Sequence, residues 1–135
     1  MRFLHLFQSD FQAIHELITE YVEQGDWVLR EKPKAYTWDP ESETFFNRFN
    51  LEVSKNDRHY TSVHYLVSPK KDSHIYCEIQ VRTLFEEIWG EVDHQTNHPT
   101  PTPHEVCKEQ IVVLSKVVGA GSRLLESLNR ANKIK

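Results

Sequence analysis

Six polar residues on two short stretches carry the chemistry this sequence can offer. Tyr60-Thr61-Ser62-Val63-His64-Tyr65 alternates, with Tyr60, Ser62 and His64 on one side and Thr61, Val63 and Tyr65 on the other. Cys77 to Arg82 alternates as well, with Glu78, Gln80 and Arg82 opposite Cys77, Ile79 and Val81. Period-two alternation predicts half-buried strands. The polar Ser68–His74 stretch with its Pro69 predicts the loop of a hairpin joining them. A register that sets His64 opposite Glu78, Ser62 opposite Gln80 and Tyr60 opposite Arg82 keeps every polar residue on one face. An ordinary wet face of an antiparallel sheet is the plain alternative.

As a nucleotide site, each residue has a role. Tyr60 can stack on a base, and Glu78 on a rigid strand can hold Mg²⁺, which takes few carboxylates plus phosphates and waters. His64 and Arg82 can contact phosphate or developing charge. Glu87 can accept from the N1–H and N2–H of guanine, the donors that adenine lacks. Other chemistries fit less well. His94 and His98 are four apart, but Pro99 follows and no third ligand is evident, so a zinc site is not expected. None of the four glycines lies in a phosphate-loop pattern. Ser62 and His64 lack the sharp turn of a nucleophile elbow.

The chain of 135 residues is long enough for one domain with a core, and its 39% hydrophobic and 27% charged content is ordinary for a globular protein. A net charge of −4 gives no basic footprint, so no DNA partner is expected. No apolar run reaches membrane-spanning length, and Cys77 and Cys107 read as two reduced thiols, so a cytoplasmic protein is the expectation.

Other elements must position the pair of strands. Arg2–Phe7 reads as a strand, and Ser9 with Gln12 as the capping box of a helix bearing Phe11, Ile14, Leu17, Ile18, Tyr21 and Val22, ended by Gly25. His15 on that helix reads as a surface or boundary residue. Trp27–Arg30 reads as a short strand. The stretch 31–56, broken by Pro33 and Pro40, reads partly as an inserted loop, with a helical turn or two over Ser42–Phe49 and a strand at Leu51–Val53. Its cations, with Lys55 among them, read as solvated surface. Thr83 with Glu86 forms a second capping box, opening a helix to about Gln95 with Leu84, Ile88, Trp89 and Val92 as its apolar stripe. A Pro-rich connector spans 97–103, and a long helix runs over 104–132, where Gly119 and Gly121 predict a kink or a close helix contact.

The motifs resemble a known family. Tyr60-Thr61-Ser62-Val63-His64 looks like the Tyr-x-Ser-x-His motif of RelA/SpoT-type alarmone synthetases. Glu78-Ile79-Gln80-Val81-Arg82-Thr83 looks like the family's Glu-[Ile/Val]-Gln-x-Arg-Thr motif, and Trp89, Glu91 and His94 match the helix that follows. The resemblance covers about residues 1–130. It implies an α+β fold, a mixed, largely antiparallel sheet flanked by helices and related to nucleotidyltransferases, with the long C-terminal helix. It implies transfer of pyrophosphate from ATP to the 3′-hydroxyl of GDP or GTP with Mg²⁺, the (p)ppGpp chemistry of the stringent response. By resemblance Tyr60 stacks on guanine, Glu78 serves metal and attacking hydroxyl, and His64, Gln80 and Arg82 line the phosphate side, with Ser62 and Lys55 among the nucleotide-binding residues. The family carries basic ATP-binding residues and a second metal-binding Asp ahead of the counterpart of Arg2. The sequence lacks that part, so the expectation is a domain weak or inactive by itself. Alternatives are a catalytically dead guanine-nucleotide-binding or protein-interaction module, assembling into a homo-oligomer through the C-terminal helix, and pyrophosphorylation of tRNA ends.

Overall fold

The computed structural model describes residues 1–133. Six strands and four α-helices form an α+β fold: β1 (Arg2–His5), α1 (Phe11–Glu23), β2 (Val28–Leu29), β3 (Lys34–Thr37), α2 (Pro40–Phe46), β4 (Glu52–Lys55), β5 (Ser62–Ser68), β6 (Cys77–Thr83), α3 (Leu84–Asn97) and α4 (Glu105–Lys133). The mixed sheet has the order β1-β6-β5-β3-β4, and β2 pairs with the far end of β5. β1 runs parallel to β6 and β3 parallel to β4, while β5 is antiparallel to both β6 and β3.

The expected hairpin is the centre of this sheet. One face of it makes the core. Val63, Tyr65, Val67, Ile79 and Val81 pack with Ala35 of β3, Phe11 and Ile18 of α1, and Phe46 of α2. Edge-to-face contacts of Phe11 with Phe45, Phe46 and Phe49 tie the two helices together. The hydroxyl of Tyr65, which would otherwise be orphaned, lies 2.6 Å from His15 Nδ1. His15 is therefore a boundary residue with a specific partner, and burial holds its pKa below the ordinary histidine value.

The register differs from the expected one. His64 stands opposite Gln80 and Leu66 opposite Glu78, a slip of two residues. A slip of one would invert both faces, but a slip of two preserves the polar and apolar pattern, so alternation cannot fix it. The observed register sets Val63 on Val81 and Tyr65 on Ile79, and all four are buried. Tyr60 lies outside the ladder. Its backbone N–H and carbonyl are both held by the Asn56 side chain, at 3.2 and 2.9 Å.

Residues 31–56 are no inserted loop. Pro33 and Pro40 frame β3, which pairs on both edges, and Pro40 occupies the first turn of α2. The first capping box is also different. Asp10 Oδ2 accepts from Phe7 N–H at 3.1 Å, while Ser9 N–H donates to Glu126 on α4 at 3.1 Å. Gly25, at φ +83°, follows the end of α1 in the left-handed conformation that glycine adopts freely. Thr83 caps α3 as expected, with Glu86 returning the bond to Thr83 N–H at 2.9 Å.

On α3 the apolar stripe does not behave as one. Trp89 is buried and donates its indole N–H to Ile111 carbonyl at 2.9 Å, but Leu84, Ile88 and Val92 are exposed. Phe85 rather than Leu84 packs inward. A Cβ at Gly121 would meet its ring at 3.5 Å, and one at Gly119 would meet Trp38 at 3.5 Å. The two glycines therefore serve close approach of α4, which runs as one continuous helix. Arg123 fastens α4 to the start of α2 through Asp39 at 2.6 Å and Glu41 at 2.5 Å.

Candidate nucleotide-binding face

The opposite face of β5 and β6 gathers the expected polar residues, and period two arranges them in a chain. Arg82 donates to Gln80 Oε1 at 2.5 Å, and Gln80 Nε2 donates to Glu78 Oε1 at 2.6 Å. The chain runs from a buried guanidinium to a carboxylate that is half exposed. Across the pair, His64 Nδ1 lies 4.0 Å from Glu78 Oε2, and its Nε2 lies 3.0 Å from the Tyr60 hydroxyl. Burial lowers the His64 pKa and Arg82 lowers it further, while Glu78 acts the other way. His64 is thus a neutral imidazole at pH 7, able to donate one hydrogen bond and accept another.

Ser62 sits on this face but is buried, and its hydroxyl has no hydrogen-bond partner among the described residues. The Arg82 guanidinium lies 5.4 Å from the Tyr60 ring centroid, and Tyr36 packs edge-on to His64 at 5.0 Å. Arg82 Nε is also 3.1 Å from Glu87 Oε2, and Arg2 reaches Glu87 Oε1 at 2.6 Å and Glu91 at 2.9 Å. Glu87 is therefore committed to two cations. Lys55 stands apart, paired with Glu43 at 3.0 Å.

Two open clefts adjoin Tyr60. One, of about 490 Å³, lies among Tyr36, Asn56, Arg58, His64, Trp89 and Asp93. The other, of about 500 Å³, continues past Gln80 and Arg82 to Arg2 and His94. Both are in the size range of small-molecule sites. A third void, behind Trp89 among Asp39, Glu86 and Ser122, is only about 30 Å³, room for water and not for a base. Glu86 borders it, and burial pushes its carboxyl up to about 7 against the opposing hydrogen bonds from Thr83.

Tyr36, Asn56, Arg58 and Asp93 complete the clefts without having been singled out from sequence. Tyr36 lies in the stretch read partly as loop, and Asp93 is one of several acidic residues of α3. Arg58 reads with the neighbouring cations as solvated surface, and Asn56 carries only the general turn preference of asparagine. Among the described residues no three His, Cys, Asp or Glu side chains cluster as a metal site. His94 and His98 stack at 4.4 Å, but among the described residues no third ligand joins them.

The family model for the region found in RelA / SpoT proteins matches residues 1–102. The chain belongs to this family. Among solved structures, it is similar to the small alarmone synthetase 1 from Bacillus subtilis, with a TM-score of 0.68 at 16% identity, covering 99% of this chain and 62% of that one. A GTP pyrophosphokinase family protein from Streptococcus pneumoniae gives a TM-score of 0.63 at 17% identity, covering 98% and 61%. The B. subtilis synthetase bound to its product pppGpp gives 0.61 at 18%, covering 98% and 58%. These likenesses establish the fold. This RelA/SpoT-family chain spans about three fifths of the length of those structures. No curated protein matches it. Among the described residues no helix is long and apolar enough to cross a membrane.

Proposed function

We propose that this chain supplies the acceptor-nucleotide side of a (p)ppGpp synthetase-type domain. In that reaction the 3′-oxygen of GDP or GTP forms a bond to the β-phosphorus of ATP, the bond from that phosphorus to the bridging oxygen breaks, and AMP leaves. One observation carries the reading. An aromatic ring, Tyr60, opens on the cleft at one end of a hydrogen-bonded chain, Arg82 to Gln80 to Glu78, that ends in an accessible carboxylate. A base stacked on Tyr60 directs its ribose and phosphates along that chain. The structures of the small alarmone synthetase with pppGpp and with AMPCPP support a nucleotide on this fold.

The geometry supports the following roles. Glu78 is held on one oxygen by Gln80, which aims the other outward to take the proton of the attacking hydroxyl. Neutral His64 orients the Tyr60 hydroxyl. Arg82 stabilises charge on the phosphate side. Glu78 also fits Mg²⁺ as a single carboxylate, completed by phosphates and water; bound there, the ion would offset charge on the transferring group.

Phosphoryl transfer depends on positioning and cations. Arg2 and Arg82 are already paired with Glu87 and Glu91. We therefore expect slow transfer, or none, by this chain alone, with acceptor binding intact. Incubation with ATP, GDP and Mg²⁺, followed by anion-exchange separation, tests it. Any 3′-pyrophosphorylated product should vanish in Glu78→Gln; product retained in that variant would refute the role of Glu78.

A further inference from the structure

Guanine presents N1–H and N2–H donors on one edge and the O6 and N7 acceptors on the next, whereas adenine presents an N6 donor between the N1 and N7 acceptors. A site that takes guanine and refuses adenine needs an anion on the first edge and a cation on the second. The obvious anion from sequence is Glu87, but it faces Arg2 and Arg82 and lines neither cleft. Asp93, further along α3, lines both, beside Tyr60 and Trp89. Its Oδ1 accepts from Asn97 at 2.8 Å, while Oδ2 has no partner among the described residues.

Arg58 lines both clefts as well. Its backbone N–H is held by Asn56 at 3.1 Å, and its guanidinium has no hydrogen bond or ion pair among the described residues. An anion and a cation thus face the same open space without meeting each other. Elsewhere on this face Arg82 and Arg2 have found a protein partner in Glu87.

We propose that Asp93 and Arg58 form the base-reading pair of this site. Asp93 accepts from guanine N1–H and N2–H, and Arg58 donates to O6 and N7, with the ring against Tyr60. The proposal rests on the guanine-nucleotide reading above and adds which residues give it selectivity.

Titration of the intact chain with GDP, IDP and ADP, each with Mg²⁺, tests the pair. IDP keeps N1–H, O6 and N7 but lacks the 2-amino group. The parent should bind GDP about tenfold tighter than IDP and at least about a hundredfold tighter than ADP, the scale of one lost edge contact for IDP and of three for ADP, which keeps only N7. Asp93→Asn should weaken GDP about tenfold or more, bring GDP and IDP together, and leave ADP no weaker, since an amide can donate to adenine N1 where the carboxylate repels it. Arg58→Gln should weaken GDP and IDP in step and keep their ratio. An Asp93→Asn chain that keeps the parental GDP-to-IDP ratio, or that loses all three nucleotides alike, overturns the proposal while the guanine reading stands. A parent with no preference for GDP over ADP overturns both.

Discussion

The two faces of the β5–β6 pair are made by alternate residues of the same strands, yet they follow different rules. On one face Val63, Tyr65, Ile79 and Val81 are essentially inaccessible, and even the Tyr65 hydroxyl has found His15. On the other, His64, Gln80 and Glu78 stay within reach of solvent, satisfied by one another and not by the core. The first face fixes the register and the second inherits it. A polar constellation can be held to within hydrogen-bonding distance because its positions are set by packing a few ångströms away, on residues that never touch a ligand. This is how a small domain carries a precise site on a regular strand.

The contrast can be broken most forcefully from the apolar side. Val63→Asp would put an unpaired carboxylate where no solvent reaches, a cost of several kcal/mol, on the order of the whole stability of a small domain. The expected result is loss of the cooperative thermal transition by circular dichroism, whereas Gln80→Ala on the other face should leave it within a few degrees.

A second test concerns the Glu86 carboxyl beneath α3. Its folded pKa of about 7 is raised from 4.5, so the folded state holds its proton more tightly than the unfolded state does. Its contribution to stability is full below pH 4.5 and is lost as pH rises to about 7, by about 3 kcal/mol at that shift. Denaturant melts of Glu86→Gln against the parent should show the variant gaining over that window and no further gain above it. The histidines work in the opposite sense. His5, His15 and His64 all have folded pKa values lowered by burial, so their contribution is present above pH 6.5 and is lost as pH falls. With Glu86 removed, that acid-side loss should stand alone.

A smaller effect separates stability from binding. Alanine at Gly90 should favour α3 by about 1 kcal/mol from propensity. Its Cβ would also lie 3.1 Å from Arg82 Nη1, close enough to push the guanidinium aside. Gly90→Ala should hold or raise the melting temperature while weakening GDP binding severalfold, because Arg82 flanks Tyr60. Equal effects on both would mean that the position of Arg82 is unimportant to the site.

The polar face was legible because alternation is a strong signal: Glu78, Gln80 and Arg82 had to share a side whatever the register. The register was not, because a slip of two residues leaves that pattern unchanged and only the packing of Val63 on Val81 and Tyr65 on Ile79 distinguishes the two. β3 was obscured because its few residues lie between two prolines, and its pairing with β4 and β5 is long-range. Arg58 and Asp93 were not legible as a pair, since one precedes the hairpin and the other lies on α3, and only the fold sets them on one cleft. Charge alone does not reveal that Arg2 and Arg82 pair with Glu87.

The central claim is that the face around Tyr60 receives a guanine nucleotide. Calorimetric titration of the chain with GDP and Mg²⁺, beside the same titration of Tyr60→Ala, tests it most directly. The account predicts saturable binding that weakens about tenfold or more without the ring, the scale of a lost stacking contact. A folded chain that ignores GDP, or binds it equally well without Tyr60, would contradict it.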